Sequence, residues 1–86
     1  MNFIETARFK RAYKSLPEDV RIRVKETLRT LAVNTRYPSL HTKKIKGAED
    51  IWEARVGLDY RITFQIIKDY LVLRNVGHHG PALKNP

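Results

Sequence analysis

Two short runs of alternating side chains bring charged groups together in this 86-residue chain. In the run Ile51–Val56, a period of two places Glu53 and Arg55 on the face opposite the apolar residues. The run Tyr60–Ile66 places Arg61 in the same way. Because a guanidinium group binds phosphate oxygens in a bidentate manner, these positions favour a site for a phosphate-bearing ligand.

Two histidines, His78 and His79, follow a third alternating run, Tyr70–Val76. Imidazole titrates near neutral pH, so it can donate or accept a proton in a reaction. Adjacent side chains of an extended segment point in opposite directions, and we therefore expect one of the two histidines to face the arginines. The alternative is a solvent-exposed pair without a role.

The composition also indicates an anionic partner. Seventeen Lys and Arg against nine Asp and Glu give a formal net charge of +8. A field of this size attracts nucleic acid, acidic lipid headgroups or an acidic protein. The histidines lack the acidic or thiol companions of a convincing metal site, so we expect no metal and no other cofactor.

The sequence carries no sign of a membrane or secretory protein. It has no cysteine, its amino end lacks the apolar core of a signal peptide, and no apolar run is long enough to span a bilayer. We therefore expect a cytoplasmic protein that makes no membrane contact. A chain of this length buries a single core, so residues 1–86 are predicted to form one domain.

Two amphipathic helices are predicted ahead of the alternating runs. Their apolar residues recur at helical spacing, at Phe9, Ala12, Tyr13 and Leu16 in the first helix and at Val20, Val24, Leu28 and Leu31 in the second. The later runs are predicted to form a curved antiparallel sheet of three to four strands, the fourth from Phe3 and Ile4, whereas Gly77–Pro86 shows no clear periodicity. This order predicts an α+β domain in which a helical hairpin covers one face of the sheet and leaves the polar face open.

The segment Arg55–Arg61 and the later string Leu73–His78 add a more specific pattern. Together with the length, the basicity and the element order, they resemble the RelE/ParE superfamily of bacterial toxins from type II toxin–antitoxin modules. The most diagnostic match is Arg55–Arg61, which is close to the Arg-Val-Gly-Asp-Tyr-Arg turn of that family with one additional residue. The resemblance covers nearly the entire chain and implies the RelE-like fold.

Two activities occur in that superfamily. RelE-like members enter the ribosomal A site and cut mRNA in a metal-independent reaction in which a 2′-hydroxyl attacks the neighbouring phosphate. ParE-like members inhibit DNA gyrase. We favour a ribosome-dependent mRNA endoribonuclease that inhibits translation. The alternatives are a ParE-like gyrase inhibitor and a non-catalytic module that binds nucleic acid.

For an endoribonuclease, the resemblance assigns the scissile phosphate to Arg61 and a second basic position to Arg55. His79, with His78 as its substitute, stands where the family carries a basic pair and is predicted to transfer a proton. Glu53 replaces a lysine of the best-known pattern; a carboxylate there could be the general base, but it would also repel RNA, so the base stays unassigned. For Arg55 and Arg61, the alternative role is an ion pair with an acidic neighbour.

Further basic residues are predicted to bind RNA phosphates, namely Lys43, Lys44, Lys46 and Arg74. RelE-like enzymes usually complete the site with a C-terminal tyrosine, whereas nothing aromatic follows Tyr70 here. The implied partners are the ribosome, its mRNA and a cognate antitoxin encoded by the adjacent gene. We expect the chain to be monomeric alone and to form a higher-order complex with the antitoxin.

Overall fold

Five strands and three α-helices make up the computed structural model, which describes all residues from Met1 to Pro86. The strands are β1 (Asn2–Glu5), β2 (Lys43–Lys44), β3 (Trp52–Val56), β4 (Tyr60–Ile67) and β5 (Tyr70–His78), and the helices are α1 (Ala7–Lys14), α2 (Glu18–Val33) and α3 (His79–Lys84). A short 3₁₀ helix lies at Pro38–Leu40. The predicted α+β class, with N-terminal helices on a mainly antiparallel sheet, is confirmed.

The sheet has the strand order β1-β5-β4-β3-β2. It holds five strands, not three or four, because a short strand lies at each edge. At one edge, β1 pairs parallel to β5. At the other edge, β2 pairs antiparallel to β3 through Lys43 and Lys44 alone. Beyond these two pairs, the edge of β3 from Ala54 to Val56 carries no neighbouring strand.

Local signals fix where the two long helices begin. The hydroxyl oxygen of Thr6 caps α1 by accepting a hydrogen bond from the backbone N–H of Phe9 at 3.1 Å, and the same hydroxyl donates to the carbonyl of Leu73 at 2.8 Å. One side chain thus starts the helix and ties it to β5. Glu18 and Asp19 occupy the first turn of α2 and complement its dipole. No helix is both long and apolar enough to cross a membrane.

The core lies between the helices and the face of the sheet that they cover, which we call the inner face. The predicted stripes of α1 and α2 supply Phe9, Leu16, Val20, Val24 and Leu31, and the strands supply Ala54, Val56, Tyr60, Ile62, Phe64, Leu71, Leu73 and Val76. Trp52 and Tyr13 pack against this cluster half-buried. Ile66, which alternation along the run Tyr60–Ile66 places on the same side as Ile62 and Phe64, is exposed near the end of β4.

A β-bulge interrupts the alternation of side chains in β5. Thr63 pairs with Asn75, but the next residue, Phe64, pairs with Leu73, so Arg74 has no partner on β4. The extra residue lets Leu73 and Val76 both reach the core although they are three positions apart.

The opposite, outer face of the sheet is covered, and the prediction that it is open is wrong. Helix α3 and the residues after it pack on β4 and β5. The hydroxyl of Thr63 donates to the oxygen of Pro86 at 3.0 Å, and the side-chain amide of Asn75 donates to the oxygen of Asn85 at 3.0 Å. Ala82 is fully buried in this contact. Besides proline, the only apolar side chains from His79 onward are Ala82 and Leu83, too few to show helical spacing in the sequence.

Candidate functional site

Arg61 lies beneath the β3–β4 hairpin and is not on an exposed face. Only 5% of the residue is exposed. Its Nη1 donates to the carbonyl of Leu58 at 3.1 Å and to that of Tyr60 at 2.9 Å, and its Nε lies 3.6 Å from Oε1 of Glu53. The predicted exposure of Arg61 is therefore wrong, since α3 packs on the strand that carries it.

Glu53 is also buried, with 6% of the residue exposed. Its neighbours across the sheet are Lys43 on β2 and Thr63 on β4. The expectation that Glu53 lies on an open face, where it could act as a general base, is contradicted by this burial. A buried charge is tolerated when an opposite charge accompanies it, and the ion pair with Arg61 meets that requirement for both groups.

A solvent-open cleft of about 550 Å³ lies beside this ion pair. It is lined by Leu58, Asp59, Arg61, His78, His79 and Gly80, and we call it the histidine cleft. The imidazole of His78 stacks on the ring of Tyr60, with centroids 4.4 Å apart and an interplanar angle of 29°. The backbone N–H of His79 donates to the carbonyl of Asp59 at 2.8 Å, which fixes the start of α3 against the hairpin.

Arg61 therefore shares a cleft with the histidines, but the geometry differs from the prediction. Both histidines line the cleft, although only one was expected to do so. The alternation of an extended strand ends at His78, and His79 already belongs to a helix. Sequence reasoning also missed Leu58 and Asp59. The turn of the β3–β4 hairpin has one residue more than the turn of the family that it resembles. This additional residue places one more side chain at the tip of the hairpin, and it was the sequence signal for both residues.

Arg55 does not enter the histidine cleft. It pairs across the sheet with Arg61, but its half-buried side chain lines a second cleft on the other side of Leu58. The two ion pairs of the chain are Lys44–Asp50 and Glu53–Arg61, and Arg55 takes part in neither. The alternative of an ion pair between Arg55 and Glu53 is thus excluded in this structure.

The residues predicted to bind RNA fall into two groups. Lys43, Lys44 and Lys46 are exposed at the edge of the sheet, and Lys44 lies 5.4 Å from the ring centroid of Trp52 and 3.8 Å from Asp50. Arg74 is half-buried; its Nε donates to the oxygen of Pro86 at 3.2 Å and its Nη1 to the side chain of Gln65 at 3.0 Å. These hydrogen bonds give Arg74 a structural role in holding the C-terminal residues.

Comparison with known proteins places this arrangement in a defined fold. No family sequence model and no curated protein sequence matches the chain. Several solved structures, however, are similar to the chain. A chain of the RelB–RelE antitoxin–toxin complex from Methanococcus jannaschii is 27% identical, with 98% of this chain and 96% of that one covered and a TM-score of 0.69.

Two more distant structures share the same architecture. The intact RelBE toxin–antitoxin complex of E. coli is 20% identical over 90% of this chain and 94% of that one, with a TM-score of 0.72. The YoeB/ParE toxin from Agrobacterium tumefaciens is 13% identical over 92% and 99%, with a TM-score of 0.78. The chain has the fold of a RelE-like toxin. In structure, the chain is thus similar to the RelE toxins of these toxin–antitoxin complexes.

Proposed function

We propose that the chain is the toxin of a type II toxin–antitoxin module and acts as a ribosome-dependent, metal-independent mRNA endoribonuclease. The observation that carries the proposal is the histidine cleft, in which two exposed imidazoles and one guanidinium line the same space. Cleavage by the 2′-hydroxyl requires a proton acceptor, a proton donor and positive charge near the phosphate. In the histidine cleft Arg61 supplies the positive charge, and one imidazole can accept the proton of the 2′-hydroxyl and donate it to the departing 5′-oxygen.

The two histidines have different surroundings, and this difference assigns their roles. His78 is held by its stack on Tyr60, whereas His79 has no ring partner and lies where α3 meets the hairpin. In this proposal His79 transfers the proton, and His78 forms a flat wall of the cleft. Arg61 contributes its charge from the floor, and Glu53 holds it there.

The proposed partners are the ribosome with its mRNA and an antitoxin encoded by the adjacent gene. Two of the similar structures are complexes of a RelE toxin with its RelB antitoxin. A net charge of +8 favours an acidic antitoxin segment that folds on the toxin and prevents its entry into the ribosome. The proposal places the free toxin in the cytoplasm as a monomer and the antitoxin complex in a higher-order state.

A reconstituted translation reaction tests the activity. We expect the purified protein to cut mRNA within the codon of the ribosomal A site, and mapping of the new mRNA ends detects such cuts. His79→Gln should abolish them, whereas Lys10→Gln on the exposed side of α1 should not. Uncut mRNA together with gyrase-dependent DNA breaks would instead support the ParE-like function.

A growth assay tests the module. Expression of the chain alone should arrest growth, and co-expression of the adjacent gene should restore it. Absence of binding between the chain and that gene product would count against a toxin–antitoxin module. The His79→Gln protein serves as the control, because it should bind the antitoxin like the wild type while causing no arrest.

A further inference from the structure

Leu58 is an apolar residue at the tip of the β3–β4 hairpin and is 82% exposed. It lines the histidine cleft on one side and, on the other, the cleft of about 470 Å³ that contains Arg55. No other residue lines both clefts, so Leu58 forms the ridge between them. A single exposed leucine is common on protein surfaces. The support beneath Leu58 and the groups around it therefore decide whether it has a role.

The backbone beneath Leu58 is held by buried groups. Its carbonyl accepts a hydrogen bond from Nη1 of Arg61 at 3.1 Å, and Arg61 is itself held by the ion pair with Glu53. The preceding residue, Gly57, has φ of +64°, a conformation that glycine adopts without strain. The hairpin tip is thus a firm support that presents an apolar side chain to solvent. A ligand that meets Leu58 has to adapt to it, because the backbone is fixed.

The surroundings of this ridge favour an anionic ligand. Each of the two clefts contains one guanidinium and one carboxylate. Arg23 adds a further guanidinium beside the ridge, since a Cβ atom built on Gly57 would lie 2.8 Å from its Nη1. Positive charge thus exceeds negative charge here, whereas Leu58 itself offers only apolar surface. Single-stranded RNA combines the matching features, a charged backbone and the apolar faces of its bases.

An aliphatic side chain can enter a stack of bases only if the stack opens. Successive bases of a helical strand lie about 3.4 Å apart along the axis. A leucine needs a contact distance of about 3.5–4.0 Å on each of its two sides. Two bases that enclose Leu58 are therefore about twice as far apart as in a stack. Apolar side chains that enter a base step in this way unstack it and bend the strand.

We infer that Leu58 is a wedge that inserts between the two bases on either side of the scissile phosphate and unstacks them. The bond from the 2′-oxygen to phosphorus forms as the bond from phosphorus to the 5′-oxygen breaks, so these three atoms have to lie in line. A stacked strand holds the 2′-oxygen away from this line. Opening the stack brings the attacking oxygen towards its reactive position. Leu58 is thus a positioning residue, and its role rests on the proposed nuclease function.

One of the two separated bases has a new stacking surface within reach. The imidazole of His78 is exposed in the histidine cleft and is backed by the ring of Tyr60, with 4.4 Å between the centroids. Aromatic side chains stack on the bases of single strands whatever their sequence. The base on this side of Leu58 therefore exchanges its neighbouring base for an imidazole, which offsets part of the cost of opening the stack.

Fluorescence of 2-aminopurine tests the wedge without cleavage, because this base is dim within a stack and brightens when it is unstacked. Three mRNAs carry it at the first, second or third position of the codon in the ribosomal A site. All sugars of that codon are 2′-deoxy, so none of these mRNAs is cut. We expect the wild type to brighten at least one position and Leu58→Ala to brighten none. Val33→Ala shortens an apolar residue that is 89% exposed at the end of α2 and should behave like the wild type.

Cleavage kinetics on unmodified mRNA test the consequence of the wedge. We expect Leu58→Ala to lower kcat by about 10- to 100-fold, the scale of loss when reacting groups are misplaced, with little change in KM. Leu58→Met keeps a side chain of similar volume and should retain most of the rate. Both variants should unfold at the urea concentration of the wild type, because the side chain is exposed.

An mRNA that needs no wedge separates this role from any other role of Leu58. If the base on the 3′ side of the mapped cut is replaced by an abasic sugar, no stack has to be opened. Leu58→Ala should cut this mRNA at about the rate of the wild type. A variant that stays slow on the abasic mRNA would overturn the inference, because Leu58 would then act on something other than the stack. Equal brightening by the wild type and Leu58→Ala would also overturn it.

The wedge and the nuclease function fail in different ways. If the wild type leaves unmodified mRNA intact but brightens 2-aminopurine through Leu58, the wedge stands and the nuclease function falls. If the wild type cuts mRNA but brightens no position of the codon, the nuclease function stands and the wedge falls. If it does neither, both proposals fall.

Discussion

The carboxylate of Glu53 lies 3.6 Å from Nε of Arg61, and each of the two side chains is only 7% exposed. The distance is that of an ion pair, yet this Nε has no hydrogen-bond partner. Each charge is tolerated mainly because the other is present. Arg61, which is proposed for catalysis, is thus also part of the folded interior. Its contribution to stability and its contribution to catalysis have to be measured separately.

We expect Arg61→Met to destabilise the protein by about 3 kcal/mol, because it leaves the carboxylate of Glu53 buried without a counter-charge. Adding Glu53→Gln to Arg61→Met should recover much of this loss, since no buried charge then remains. Urea unfolding of the two variants and of the wild type measures both values. If the free energy of unfolding of Arg61→Met lies within about 0.5 kcal/mol of that of the wild type, the ion pair contributes little to stability.

The same double variant separates stability from catalysis. If Arg61 also stabilises the phosphate, Glu53→Gln combined with Arg61→Met should be folded and stable but should not cut mRNA. Cleavage at the wild-type rate in this variant would make Arg61 purely structural. The assay is the mapping of mRNA ends in the translation reaction, at a temperature where every variant is folded.

The histidines are distinguished by the ring stack. We expect His79→Gln to lower the rate of mRNA cleavage by about 100-fold or more, the usual range for loss of a general acid or base. His78→Phe keeps an aromatic ring against Tyr60, whose centroid lies 4.4 Å from that of His78, and should retain most of the activity. The reverse order of the two effects would assign the proton transfer to His78.

Much of the fold follows from periodicity alone. The alternating runs became β3, β4 and β5, and the helical stripes ending at Leu16 and beginning at Val20 lie in the core. These elements were predictable because each buries one face and repeats its pattern over several residues. The strand suggested by Phe3 and Ile4 is also present, although its parallel pairing with β5 has no signal in the sequence.

The candidate site was harder to predict because its geometry depends on elements without a pattern. Helix α3 buries only Ala82 completely, and the residues after it accept hydrogen bonds from Thr63, Asn75 and Arg74. Because this segment has no regular spacing of apolar residues, the sequence did not show that it covers the sheet. Arg61 was therefore predicted to be exposed. Alternation placed Arg55 and Arg61 side by side correctly, but it could not show that Leu58 separates their side chains into two clefts.

Arg74 should control how firmly the C-terminal segment is held. Arg74→Met removes its hydrogen bonds to the oxygen of Pro86 and to Gln65, and we expect a loss of about 1 kcal/mol and faster amide hydrogen exchange in residues 79–86. Lys68→Met, in the exposed β4–β5 turn, removes the same charge and should leave that exchange unchanged. Unchanged exchange in Arg74→Met would show that the segment is held by other contacts.

Two glycines allow the contact between Arg23 and the β3–β4 hairpin to be tested without removing a charge. Gly47 and Gly57 both have positive φ, +80° and +64°, and alanine at either position should cost about 1 kcal/mol in the free energy of unfolding. Only Gly57→Ala also meets a neighbour, because its Cβ would lie 2.8 Å from Nη1 of Arg23. That nitrogen ends a flexible side chain, so the guanidinium should move aside at little further cost in stability. Gly57→Ala should therefore bind a short single-stranded RNA with 2′-deoxy substitutions, which resists cleavage, more weakly than Gly47→Ala while unfolding at a similar urea concentration. Equal RNA affinities would show that the position of Arg23 against Gly57 has no part in RNA binding.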